Sequence, residues 1–149
     1  MGRALASRLG WDFYDADDFH PPENLAKMAA GIALGDEDRR PWLATLHDLI
    51  SSCLARRTPG VLACSALKER YRQTLLAGNC GTEIVYLRGS YDLMLPRMNS
   101  RPGHCMKAEL LQSQFEDLEE PADALAVDAG LPVDQIVETV IHHMEAGRR

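Results

Sequence analysis

Phe13–Asn24, F-Y-D-A-D-D-F-H-P-P-E-N, decides how this chain reads, because its character changes within a few residues. Three of the four residues from Trp11 to Tyr14 are aromatic, which predicts an extended, half-buried strand. Asp15, Asp17 and Asp18 follow at once, then His20. Carboxylates packed this closely repel one another unless a cation or a hydrogen-bond donor meets them. They also stand where a buried strand leaves its sheet, the edge at which open α/β sheets bind ligands. Extended backbone would place Asp15 and Asp17 on one face, where both can approach a single ion or hydroxyl. The same residues also read as a solvated acidic turn, with an Asp capping a helix that begins near Pro21 or Pro22. The stretch alone does not choose between these readings.

Working outward, Gly2 to Leu9 carries apolar residues at helical spacing and ends at Gly10, a favourable C-terminal cap. Asn24 to Ala30 is helix-prone. A longer stripe, Trp42, Leu43, Leu46, Leu49, Ile50, Cys53 and Leu54, predicts a helix from about Asp36 that ends by Pro59, with Pro41 tolerable near its first turn. Val61 to Cys64 and Ile84 to Leu87 are short apolar runs suited to strands covered on both faces. Ser65 to Leu76 reads as a helix with Ser65 as N-cap. Tyr91 to Asn99 and Met106 to Leu118 are helical patterns on either side of S-R-P-G-H-C, whose Pro and Gly suggest a lid spanning about residues 97–110. Leu125 to Val127 is a last strand, and the apolar spacing from Val133 predicts a terminal helix closing near Gly147. Strands alternating with helices in this way imply an α/β fold, a doubly wound parallel sheet with helices on both faces, in one domain of 149 residues.

Composition narrows the function. A formal net charge of -6 argues against a non-specific grip on nucleic acid or an anionic membrane, both of which require a basic surface. Cys53, Cys64, Cys80 and Cys105 show no C-x-x-C spacing, and Cys64 lies in the apolar run V-L-A-C. A reduced, cytoplasmic protein fits this pattern. There is no signal-peptide core and no apolar run approaching a membrane span.

Three further clusters can carry chemistry. Asp38 suits the start of a helix, whereas Arg39 there opposes the helix dipole and suggests a ligand contact. Ser65 and Lys68 in C-S-A-L-K stand just past a buried strand, either as a ligand edge or as a cap and a solvated lysine. Arg97 and Arg101, with His104 nearby, form a cationic patch that either clamps a phosphate or pairs with acids such as Glu109. His142 and His143 have no metal-ligand spacing and read as surface residues.

Taken together, F-Y-D-A-D-D-F-H-P, E-N-L-A-K-M, D-E-D-R-R-P-W-L, L-A-C-S-A-L-K-E-R-Y-R, L-R-G-S-Y-D, R-P-G-H and L-L-Q-S-Q-F-E-D-L-E-E-P resemble, in order and nearly end to end, the gluconokinase family of small P-loop kinases. The resemblance implies transfer of the terminal phosphoryl group of ATP to gluconate with Mg²⁺. It implies that Asp15 holds a Mg²⁺-bound water and that Asp17 orients or deprotonates the attacking hydroxyl. His20, Asp38, Arg39, Ser65 and Lys68 would shape the polyol-acid site, and Arg97, Arg101 and His104 would reach the nucleotide from the lid. The implied partner is a small molecule, neither nucleic acid nor membrane, and a homodimer is compatible with it.

Family members carry G-x-x-x-x-G-K-[ST] ahead of their first helix, and these 149 residues contain no such loop. Cys105 stands where relatives often have Phe. The expected first strand, central and lying between the strands at Val61 and Ile84, is missing as well. As written, the chain is therefore expected to be a weak kinase and a poorly stable domain. Three readings stay open: an N-terminally incomplete form of a working kinase, a non-catalytic short form that binds a sugar acid or a protein, and a kinase for another small hydroxy-acid.

Overall fold

The computed structural model describes residues 1–100 and 108–147. In chain order the elements are α1 (Gly2–Leu9), β1 (Asp12–Asp15), a 3₁₀ turn (Ala16–Phe19), α2 (Pro22–Ala29), α3 (Asp36–Arg56), β2 (Gly60–Ala63) and α4 (Glu69–Leu76). They continue with β3 (Val85–Arg88), α5 (Tyr91–Asn99), α6 (Ala108–Asp117), β4 (Leu125–Asp128) and α7 (Val133–Ala146).

All pairing is parallel. β1 runs beside β2 from Asp12↔Gly60 to Asp15↔Ala63, and β3 beside β4 from Val85↔Leu125 to Arg88↔Asp128. Among the described residues no ladder joins the two pairs. Even so, Val61 of β2 and Val85 and Leu87 of β3 pack into one apolar cluster with Leu5, Val127, Ile136, Val137 and Val140, so α1 and α7 cover both pairs from one face. Leu62, next to Val61 on the strand, points the other way into a second cluster formed by Ala16, Trp42, Leu43, Leu46, Tyr71 and Leu75 beneath α3 and α4. This alternation of period two produces the expected arrangement, helices on both faces of parallel strands.

Close approach of α1 to β1 depends on Gly2, because a Cβ there would stand 2.8 Å from the Phe13 ring. At the other end of α1, Gly10 adopts φ 68°, and its N–H satisfies the last carbonyls of the helix. Pro41 lies one turn further into α3 than its first residues and is accommodated without breaking the helix. Ser65 is not the N-cap of α4, which starts only at Glu69. Residues 64–67 stay irregular because Ala66 takes φ 30°, turning the chain so that Leu67 is buried.

Trp42, 1% exposed, is at the centre of the second cluster, and its indole Nε1–H donates to the Ala16 carbonyl at 2.7 Å. That bond fastens the start of the 3₁₀ turn to α3. Trp42→Phe keeps an aromatic ring but leaves the Ala16 carbonyl without its buried donor, so the chain should lose about 1–3 kcal/mol of stability. The denaturant midpoint of the variant checks this; an unchanged midpoint would mean that the bond contributes nothing net.

Candidate active site

The C-terminal ends of β1 and β2 open towards the 3₁₀ turn, α2, the start of α3 and the 64–68 loop. Extended backbone stops at Asp15, whose side chain accepts the Asp17 N–H at 3.1 Å and so caps the turn. The strand-like alternation expected to align Asp15 with Asp17 therefore gives way to an Asp-capped turn. Both acids still reach the end of β2. Burial pushes the Cys64 thiol up to about 12, and the Asp17 and Asp15 charges act in the same direction. A thiol so held stays protonated and serves as packing rather than as a nucleophile.

His20 lies flat against Trp42, with ring centroids 4.4 Å apart and an interplanar angle of 11°. The Asn24 side-chain amide, in a residue only 2% exposed, lies 3.3 Å from His20 Nδ1 and donates to the Asp38 carbonyl at 2.8 Å. An amide donor at Nδ1 leaves the proton on Nε2, which lies 3.9 Å from Asp17 Oδ1. Burial lowers the His20 pKa against the opposing pull of Asp17, so the ring is neutral and presents an N–H beside the acid.

The start of α3 is tied down by Asp38. One carboxylate oxygen accepts from Lys27 Nζ at 2.6 Å and the other from the Gly35 N–H at 2.9 Å. Lys27 first, then the Gly35 amide, hold this carboxyl below the usual range. One residue on, Arg39 donates to the Tyr71 hydroxyl at 3.0 Å and lies over the Tyr71 ring at 5.4 Å. The Tyr71 hydroxyl in turn donates to Asp36, which also pairs with Arg70.

Arg39 and Lys68, which come from different elements, converge on a single carboxylate. Asp117 at the end of α6 lies 3.7 Å from Arg39 and 3.2 Å from Lys68. Two residues later Glu119 accepts the Glu69 N–H at 2.7 Å, and its own N–H donates to the Leu67 carbonyl at 2.9 Å. The irregular loop is braced from below by Arg72, 5% exposed, which donates to the Ala66 and Leu67 carbonyls and to Glu69. Ser65 lies exposed at the rim.

Arg97 is elsewhere: its guanidinium donates to the Ala129 carbonyl, just beyond β4. Arg101 and His104 lie outside the described residues, as does the middle of the expected lid. Asn24, Tyr71, Arg72 and Asp117 carry no role from spacing alone, although each sits in a quoted motif. The spacing of Lys68, Tyr71 and Arg72 at the start of a helix, one turn apart, was the available signal.

Comparison with known proteins places the chain among kinases. The family model described as shikimate kinase matches residues 1–145. Probable gluconokinase of Mus musculus is 46% identical over 154 residues, covering 89% of this chain and 84% of that protein. Thermoresistant gluconokinase of Escherichia coli (strain K12) is 37% identical over 148 residues, covering 97% and 85%. Among solved structures, an unliganded sugar kinase from Janibacter sp. HTCC2649 matches with a TM-score of 0.88 at 37% identity, covering 97% of this chain and 85% of that one. A gluconokinase from Sinorhizobium meliloti 1021 matches with a TM-score of 0.80 at 43% identity, covering 92% and 78%.

The neutral state of His20 carries a pH signature. Because its pKa is lowered from 6.5, the unfolded chain takes up the proton first as pH falls. The stability contributed by neutral His20 is therefore present above that value and is lost as pH drops towards the folded pKa. Melting temperatures at pH 7.5 and 5.5 should differ less in His20→Gln than in the parent chain. An equal pH dependence in the two proteins would show that His20 is not the group responsible.

Proposed function

The chain belongs to the shikimate kinase family and, within it, to the gluconokinases, and from that premise we propose that it catalyses ATP-dependent phosphorylation of D-gluconate to 6-phosphogluconate. The observation that supports this substrate most directly is the convergence of Arg39 and Lys68 on one carboxylate. Two cations held on a carboxylate beside a strand-end acid and a neutral imidazole match a polyol with an acid at one end and a reactive hydroxyl at the other. The substrate carboxylate lies against Arg39 and Lys68. Asp17 accepts the proton of the attacking hydroxyl, and the His20 Nε2–H orients that hydroxyl or its neighbour. Asp38, with both carboxylate oxygens engaged by Lys27 and Gly35, acts as a positioning residue for Arg39. Ser65 contributes a hydroxyl at the rim.

Phosphoryl transfer to a sugar acid is largely positioning and charge neutralisation, and bound ATP with Mg²⁺ supplies the group transferred. Asp15 fits Mg²⁺ as a single donor acting through water, since this ion keeps several waters and takes one or two carboxylates besides the phosphates. Among the described residues no group of three or more His, Cys, Asp or Glu could cage a metal. The triphosphate is a different matter: the 149 residues hold no glycine-rich phosphate loop, and Arg97 is committed to Ala129. Arg97, Arg101 and His104 remain the nucleotide-side proposal from the family motifs, and Asp17, His20, Arg39 and Lys68 the acceptor-side proposal. Cys53, Cys64 and Cys80 are free thiols, in keeping with a cytoplasmic setting, and no described helix is long and apolar enough to cross a membrane. A homodimer is part of the same proposal.

Two substitutions separate the roles. In a chain extended with a strand and a phosphate loop, Asp17→Asn should lower kcat by roughly 10²–10⁴-fold with little change in KM for gluconate, because a general base acts in the transition state. Turnover equal to the parent's would remove Asp17 from the catalytic role. Lys68→Met should weaken calorimetric binding of gluconate, without nucleotide, by about tenfold, as a lost charged hydrogen bond does. Binding of D-glucitol, which lacks the carboxylate, should be unaffected; an equal loss for both ligands would make Lys68 structural.

A further inference from the structure

Arg39 and Lys68 already share a carboxylate, and it comes from the chain itself. Their side chains are only 11% and 21% exposed, so each has surrendered most of its hydration, and Asp117, 38% exposed, supplies the compensating charge. Summed over the three groups the site carries a single positive charge rather than two.

We propose that Asp117 is a positioning and specificity-determining residue, a resident carboxylate that shares Arg39 and Lys68 with the incoming acid and thereby limits how tightly acids are held. The inference rests on the reading that these two cations receive the substrate carboxylate. Arg39 does not need Asp117 to stay in place. Its guanidinium is held by the Tyr71 hydroxyl at 3.0 Å and lies over the Tyr71 ring, and Tyr71 is anchored in turn by Asp36. The end of α6 is likewise fixed without the Asp117 side chain, through the two hydrogen bonds of Glu119 to Glu69 and Leu67. What Asp117 adds is therefore charge, at hydrogen-bonding range of Lys68 and within 4 Å of Arg39. A substrate carboxylate entering this site meets a partner that already occupies part of both cations, and its binding is weaker by the interaction it must share. Weak retention of the acid suits a phosphotransferase, whose product carries the same carboxylate and has to leave.

The test compares the full chain with Asp117→Asn, Asp117→Glu and Lys68→Met by calorimetric titration of D-gluconate and of D-glucitol. Asp117→Asn keeps the shape and removes the charge. It should bind gluconate about tenfold more tightly than the parent, with the gain shrinking at high salt as exposed charges are screened. Glucitol binding should not change, and Asp117→Glu should restore the parent's affinity for gluconate. Gluconate affinity that is unchanged or reduced in Asp117→Asn, or a parallel change for glucitol, overturns the proposal. If Lys68→Met also leaves gluconate binding untouched, the carboxylate-site reading falls with it. If Lys68→Met weakens gluconate selectively while Asp117→Asn does not tighten it, only the role of Asp117 is refuted.

Discussion

The placement of the acidic turn against α3 depends on one buried hydrogen bond, from the Trp42 indole to the Ala16 carbonyl. Ala16 is buried, and the bond satisfies the indole N–H and gives the Ala16 carbonyl a donor away from water. By meeting it, Trp42 fixes where the acidic turn stands relative to α3, and its ring then provides the surface on which His20 lies. The Asn24 amide, itself bonded to the Asp38 carbonyl, then sets the His20 tautomer, and Tyr71 holds Arg39. The acidic turn is thus packed on the core edge through Ala16, while Asp18 stays exposed.

Around this anchor, several charged groups are linked to one another in a network. Tyr71 links Arg39 to Asp36, Asp36 links Tyr71 to Arg70, and Asp117 links Arg39 to Lys68. The Tyr71 hydrogen bond, with Arg70 and Lys68 close by, holds the Asp36 carboxyl below its usual range despite partial desolvation. Such a network keeps flexible side chains in place before any ligand arrives, which lowers the ordering cost of binding.

Much of this was legible in the sequence, for physical reasons that differ by element. Gly2 to Leu9 and Tyr91 to Asn99 were readable as helices with the bounds observed, because apolar spacing and terminal residues agree there. Asp17, His20, Arg39 and Lys68 were singled out by their place beyond strands or at a helix start, and the structure gathers them around the same strand ends. Ser65 as an N-cap was not to be had from local preference: the left-handed Ala66 and the buried Leu67 delay α4 by several residues, a decision made by tertiary packing and by Arg72. Strand periodicity puts Asp15 and Asp17 on a shared face, but the turn that Asp15 itself caps ends that periodicity. The pairing of Asp117 with Arg39, 78 positions apart in the sequence, could not be read from spacing at all.

That no ladder joins the two strand pairs among the described residues has a mechanical meaning. Backbone hydrogen bonds are directional and fix register, whereas the contacts of Val61, Val85 and Leu87 in the shared cluster are not, and they tolerate small relative displacement. Among the described residues, side-chain packing rather than a backbone ladder joins the two pairs at this seam. Asp17, His20, Arg39 and Lys68 ride on the β1–β2 side, while Arg97 and the end of β4 ride on the other. Glu119, which follows α6 and grips Leu67 and Glu69, acts as a tether between the two sides. Any displacement along the seam would change the spacing between Lys68 and α5, and the Glu119 contacts would resist it.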